Sequence, residues 1–326
     1  MKETGIKLSS KKSLYNQVLF LDGMARAGKF LLGKICSHIE RVEYFQAIPT
    51  LEHIPILNNF DLIEKSAAKS MMQVILDHAI YDMSIGRGLN QRSADSSSIT
   101  HSFEYQHYLH RSNQQDGAEA ISKIQEANRL PSFLIHNCLP FINFFFETFP
   151  YLQMVHIERH PIDLAHSWLL KGWGRRFGVD PLAFEPTIHG KDVLVPWHAK
   201  TWQAEYGGMS EADRVIKSVC TIYRLSNEGF NNLNNKLQSK ILKLSYEEFF
   251  SDPISVVNQL AGFLESQPSS HMKEVLKMQG CYRDIPIDSR KEKFKELSKQ
   301  ASSGIIEDLT KISLEYESVW RLETFF

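Results

Sequence analysis

His156-Ile157-Glu158-Arg159-His160-Pro161-Ile162-Asp163-Leu164-Ala165-His166-Ser167 runs from an apolar strand end through an Arg-x-Pro turn into a helix that carries a serine. Proline suits a first helical turn, where its missing N–H is an orphan donor anyway. The positions Ile162, Ala165, Trp168 and Leu169 then continue as one helix face. Arg159 leaves a strand end, the place where ligands of open α/β sheets collect. Its guanidinium can grip an anion through two parallel donors, and Ser167 can add a hydroxyl. Taken alone, the segment also fits a surface arginine and an ordinary helical serine.

An earlier stretch, Val18-Leu19-Phe20-Leu21-Asp22-Gly23-Met24-Ala25-Arg26-Ala27-Gly28-Lys29-Phe30-Leu31-Leu32, repeats the plan of strand, turn and helix. Gly23-x-x-x-x-Gly28-Lys29 satisfies most of the nucleoside-triphosphate loop pattern, whose next residue is Ser or Thr. Phe30 stands there instead and cannot place a hydroxyl on Mg²⁺. Backbone N–H groups and a helix N-terminus still make an anion cradle. Arg26 and Lys29 add positive charge to it. Such glycine loops also occur without ligands.

Outward from these two segments, four stretches read as buried strands: Val18–Leu21, Ser132–Ile135, Met154–Ile157 and Lys240–Leu244. Helical spacing predicts helices after Gly28 and Pro161, and over Phe60–Met83, Ser210–Leu237 and Pro253–Leu264. The Phe60–Met83 face is drawn through Leu62, Ile63, Ala67, Met71, Val74, Ile75 and Ala79. Alternating strands and helices imply an α/β fold, a three-layer sandwich on a mainly parallel central sheet. No domain boundary stands out, so residues 1–326 are expected to form one domain with substrate-facing insertions at 84–118 and 173–210.

A net charge of −1 in 326 residues excludes a generic nucleic-acid or membrane-surface binder, so any cationic site must be local. No apolar run approaches the roughly 18–20 residues of a membrane span. The polar start from Met1 to Asn16 and the short run Val18–Leu21 do not read as a signal peptide. Cys36, Cys138, Cys220 and Cys281 are widely spaced and unpaired, which fits a reducing cytoplasm. His101, His107 and His110 lack a supporting ligand framework, and no metal site is expected.

Together the two signatures resemble the sulfotransferase family that uses 3′-phosphoadenosine 5′-phosphosulfate (PAPS). That family's first loop is of the type Gly-x-Pro-Arg-Ser-Gly-Thr-Thr and holds the 5′-phosphosulfate. Its later Arg-x-Pro-x-x-x-x-x-Ser segment holds the 3′-phosphate, and Arg159, Pro161 and Ser167 match it at full spacing. Leu242–Pro253 followed by Leu260 and Phe263-Leu264, the Trp197–Trp202 segment, and Ser289–Lys295 resemble further blocks in the same order. The resemblance spans about residues 17–326 and implies a P-loop-like sulfotransferase fold. It implies that Arg26, Ala27, Gly28, Lys29 and Phe30 meet the 5′-phosphosulfate, and Arg159, Ser167, Arg290 and Lys291 the 3′-phosphate.

The chain departs from the pattern at several places. Ala25 replaces the usual proline, and Lys29-Phe30 replaces Thr-Thr, so Lys29 is expected to stand in for the lost hydroxyls. His136-Asn137-Cys138-Leu139-Pro140 occupies the place of Lys-Thr-His-Leu-Pro, which puts Cys138 where the catalytic histidine belongs. Sulfuryl transfer needs in-line placement, charge stabilisation and a base within reach of the acceptor. Arg26 and Lys29 are expected to supply the charge, without a metal. His136 and Glu52 are the two candidate bases. The expected reaction sulfates a hydroxyl, or an amine, of a small-molecule or carbohydrate-like acceptor. A nucleotide-dependent kinase and a catalytically silent nucleotide-binding protein of the same fold remain as alternatives. Neither the acceptor nor the oligomeric state is legible.

Overall fold

Every residue of β1 (Val18–Asp22) is buried, as a strand covered on both faces requires. A computed structural model describes residues 8–9, 12–283 and 285–324, so part of the polar start Met1 to Asn16 and the last two residues lie outside the described residues. The other strands are β2 (Gln46–Ala47), β3 (Ser132–Leu134), β4 (Leu152–Glu158), β5 (Thr187–His189), β6 (Leu194–Pro196) and β7 (Ile241–Ser245). Five of them form one parallel sheet in the order β2-β3-β1-β4-β7. The chain reaches the strands on the two sides of β1 in opposite directions. A crevice therefore opens at the carboxyl end of β1, a topological switch point, and Gly23–Gly28 occupies it.

The four expected strands are present with ends shifted by one or two residues. β2 is a two-residue edge, too short to carry a periodic signal. β5 and β6 form a separate antiparallel hairpin inside the 173–210 insertion, and Val195, Ala199, Trp202 and Tyr206 make a small second core there.

The helix expected over Phe60–Met83 is a correction. One helix, Thr50–Asn59, ends at Phe60, and the next runs Lys65–Ser84 with the Glu64 carboxylate capping the N–H groups of Ser66 and Ala67. Its buried face is Ala68, Met72, Leu76, Ile80 and Met83, while Met71 and Val74 face solvent and Leu62 lies exposed in the turn. Buried Asp77 sits on that inner face and accepts the Leu14 N–H, so apolar counting alone rotates the helix the wrong way.

After β4, His160 caps the helix Pro161–Leu170 by accepting the Ile162 N–H. Its other ring nitrogen donates to Glu317. Ser210 caps Glu211–Asn231, whose face packs against Pro161–Leu170.

Candidate active site

The turn after β1 is shaped by neighbours as much as by its own sequence. Gly23 has φ 151°, and a Cβ there would sit 2.4 Å from the carbonyl oxygen of Ile157 in β4. Gly28 has φ 111°, and its Cβ would meet the Tyr246 ring at 2.6 Å. Any side chain at either position would push the loop off the sheet. The helix Lys29–Cys36 starts at Gly28 without a side-chain cap, which leaves its first-turn N–H groups to a ligand or water.

The Arg-x-Pro segment clasps this turn. Arg159 Nη1 donates to the Arg26 carbonyl (3.0 Å), Trp168 Nε1 donates to the Ala25 carbonyl (2.9 Å), and Arg26 Nε donates to Ser167 Oγ (3.2 Å). The two stretches singled out in the sequence are thus in direct contact. The Arg159 guanidinium lies 4.5 Å over the Tyr246 ring. Its Nε is buried without a partner, the kind of orphan donor that an anion would satisfy.

Lys29 differs from the arrangement expected for it. Its ammonium turns under the loop and donates to the Gly23 and Met24 carbonyls at 2.8 and 2.7 Å. Burial pulls it down to about 8, against the opposing fields of Asp22 and Glu52. It braces the loop from below. Phe30 points outward and packs near Phe45.

Arg290 and Lys291 are not brought to this place. Arg290 is buried and donates to Asp163 at 3.1 and 3.2 Å and to Glu247 at 3.4 Å, while Lys291 pairs with Asp288 at the surface. Burial pushes the Asp163 carboxyl up, but Arg290 and Lys293 outweigh it and leave the group below its ordinary value. Arg290 thus serves to neutralise two buried carboxylates. A residue the sequence reading missed, Arg283, reaches the crevice instead, with its guanidinium 4.4 Å over the Phe250 ring.

Two cavities meet at the loop. One, of about 400 Å³, is lined by Arg26, Gly28, Lys29, Arg159, Tyr246 and Arg283, among others. Ser96, from the 84–118 insertion, also reaches it, so that insertion contributes to this side. The other, of about 270 Å³, is lined by Glu52, His53 and the 173–210 insertion, including Trp173, Arg176, Glu185 and Trp197. Ala25, His136 and Trp173 border both.

His136 is therefore the titratable side chain at the junction. The Glu52 carboxylate accepts both the His136 backbone N–H and its Nδ1–H, each at 2.8 Å. That contact places the ring proton on Nδ1 and frees Nε2 as a base. The two candidate bases of the sequence reading are thus one pair, with the carboxylate behind the imidazole. Asp22 holds the same turn by accepting the Cys138 N–H at 3.0 Å, and His156 Nδ1 donates to its other oxygen at 2.8 Å. Cys138 itself is buried, and burial pushes its thiol well above its ordinary value, so it is no base at neutral pH.

Two more titratable groups line the smaller cavity and carried no sequence signal. Burial raises the Glu185 carboxyl, with Arg176 and His136 pulling the other way. His198 is buried with both ring nitrogens unpartnered, and burial pulls it down to about 3, which keeps the ring neutral. Among the described residues no group of three or more His, Cys, Asp or Glu side chains could hold a metal ion.

Comparison with known proteins adds the following. A family model described as a sulfotransferase domain matches residues 17–315. No curated protein matches the chain in sequence. Among solved structures, sulfotransferase STF9 from Mycobacterium avium is 10% identical, covering 96% of this chain and 78% of its own, with a TM-score of 0.48. The sulfotransferase domain of the Synechococcus PCC 7002 olefin synthase is 12% identical over 98% of both chains, with a TM-score of 0.45. The sulfotransferase from Alicyclobacillus acidocaldarius is 11% identical, covering 94% of this chain and 97% of its own, with a TM-score of 0.38.

Proposed function

The chain belongs to the sulfotransferase family, and from that membership we propose that it transfers the sulfuryl group of PAPS to a hydroxyl of a small acceptor. The observation that carries the reading is the His136–Glu52 pair at the meeting of two cavities. The larger, cation-lined cavity suits a doubly phosphorylated nucleotide. The smaller one suits the acceptor.

The residues present fit the donor. The buried, unpartnered Nε of Arg159 and the hydroxyl of Ser167 would hold the 3′-phosphate. Arg26 and the uncapped first turn from Gly28 would meet the phosphosulfate, with the Lys29 charge beneath them. When bound, the donor supplies the sulfuryl group, its bond from sulfur to the bridging oxygen breaking as the acceptor oxygen bonds to sulfur. His136 Nε2 takes the acceptor's proton, and Glu52 stabilises the imidazolium that results while keeping the ring in register. In this reading the leaving phosphate is neutralised by Arg26 and Lys29, so no metal is invoked.

The free, buried thiols of Cys36, Cys138, Cys220 and Cys281 support a reducing cytoplasm as its compartment. No helix among the described residues is long and apolar enough to cross a membrane. The reading is tested by titrating 3′-phosphoadenosine 5′-phosphate into the folded protein and by assaying sulfate transfer with His136→Ala and Glu52→Gln. Binding of the bisphosphate together with loss of turnover in both variants is expected. Near-normal turnover in both would remove the pair as the base.

A further inference from the structure

The acceptor cavity holds polar groups of two kinds. Its charged groups are answered: Glu52 by His136 at 2.8 Å, Glu185 by Arg176 at 3.6 Å, and Arg214 by the carbonyls of Tyr206, Gly174 and Gly207. Two neutral side chains are not. His198 lines the cavity, is only 6% exposed, and neither ring nitrogen has a hydrogen-bond partner among the described residues. Asn137, next to His136 in the chain, lines it too, and its carboxamide oxygen is buried without a partner.

Packing, not hydrogen bonding, holds the His198 ring. It belongs to the short helix Trp197–Trp202 that follows β6. It meets the Trp197 ring edge-on at 5.4 Å, and Trp197 in turn leans on Phe141 at 5.3 Å. Buried donors and acceptors are nearly always satisfied, and one left open costs stability. A phenylalanine would fill position 198 without that cost. The open nitrogens therefore point to a polar group that arrives with a ligand. Its chemistry follows from the ring. Burial pulls His198 down to about 3, so the imidazole stays neutral, with one N–H to give and one lone pair to fill. A carboxylate only accepts and an ammonium only donates, whereas a hydroxyl or a carboxamide does both.

We propose that the acceptor carries a second neutral group, a hydroxyl or carboxamide, besides the hydroxyl that is sulfated, and that His198 and Asn137 receive it. This rests on the sulfuryl-transfer reading and narrows it. His198 then sets specificity away from the reacting atoms, while His136 keeps the chemistry.

The test uses radiolabelled PAPS with 3- and 4-(hydroxymethyl)phenol, set against 3- and 4-ethylphenol, which match them in size and lack the second hydroxyl. The 3- and 4-hydroxybenzoates supply a charged comparison. In the wild type, kcat/KM for at least one hydroxymethyl isomer should exceed that of its ethyl partner by about tenfold or more, because the ethyl compound leaves the ring unpaired. The benzoates should fall below it. In His198→Phe the ratio should drop towards one, and His198→Gln, which keeps a donor and an acceptor, should restore part of it. The free His198→Phe protein should melt no lower than the wild type, since no protein hydrogen bond is lost; if it does not fold, His198→Leu is read in the same way. A wild-type ratio near one for both isomers overturns the proposal and leaves a buried water as the partner of His198. So does a benzoate used as well as the hydroxymethyl compound, or a ratio unchanged in His198→Phe or His198→Leu. Bisphosphate binding without product from any of these phenols also sinks this proposal alone. No bisphosphate binding and no sulfated product sinks the transfer reading, and this proposal with it.

Discussion

The donor crevice is built around a tight glycine loop clasped by a few charged side chains and the acceptor cavity largely from the side chains of an insertion, and the two carry very different marks in the sequence. On the donor side, Gly23 and Gly28 are demanded by Ile157 of β4 and by Tyr246, just after β7, pressing on the loop; Arg159 and Trp168 close on its carbonyls, and Ser167 accepts from the Arg26 side chain. Each contact fixes a residue type at a set spacing. On the acceptor side, Trp173, Arg176, Glu185 and Trp197 come from an insertion with two short strands and irregular turns, where many residues would fill the same wall. Chemistry that needs a charged group at one spot writes a motif. Shape does not.

The sharpest way to divide the two sides is His136→Ala. Removing a general base costs roughly 10²–10⁴ in turnover, and because His136 belongs to the junction, bisphosphate affinity should stay within a few fold. If calorimetry showed the nucleotide site collapsing too, the boundary between the sides would be misdrawn.

Next in size is Gly28→Val on the donor side. With φ 111° and the Tyr246 ring 2.6 Å from the added Cβ, the loop must move. Strain of this kind costs on the order of 1–3 kcal/mol, so denaturant melts should shift and bisphosphate binding should fall by tenfold or more. A variant as stable and as tight as the wild type would show the loop to be looser than its contacts imply.

Lys29 gives a pH signature with two opposite slopes. Its folded value of about 8 lies below the ordinary 10.5. Between those values the unfolded chain holds a proton that the folded chain lacks, so the lysine's contribution to stability rises with pH through that window. Nucleotide affinity should instead fall as pH rises through about 8, because the anion loses the charge beneath the loop. Lys29→Met should flatten both slopes. Slopes of the same sign would contradict the burial of this ammonium.

The smallest expected effect is Cys138→Ala. The thiol is buried and protonated, and the turn is held through its backbone N–H on Asp22. Turnover should therefore drop by less than about threefold, with a stability loss of about 1 kcal/mol. A loss near that of His136→Ala would return the base to position 138.

These contrasts follow what could be read in the chain. The central strands β1, β3 and β4 were legible because near-complete burial makes them mostly apolar, and β7 at the sheet edge was legible from Ile241, Leu242 and Leu244 despite half-buried Lys243. Contact between Arg159 and the glycine turn was legible as two halves of one anion site. The direction of Lys29 was not, since nothing in Gly28-Lys29-Phe30 says whether an ammonium turns over or under its loop. Nor was the fate of Arg290, because its spacing to Asp163 and Glu247 exists only after the last helices pack. His136 and Glu52 looked like competitors because 84 residues separate two groups that fold into one hydrogen bond. For the Lys65–Ser84 helix, a buried polar residue on the inner face defeated the apolar count.

The most direct measurement is a calorimetric comparison of 3′-phosphoadenosine 5′-phosphate with 5′-AMP, in the wild type and in Arg159→Ala. The expected result is a preference of at least tenfold for the bisphosphate that disappears in the variant, as loss of a charge-assisted contact requires. Equal affinity for the two nucleotides in the wild type, or a preference untouched by the substitution, would contradict the two-anchor crevice.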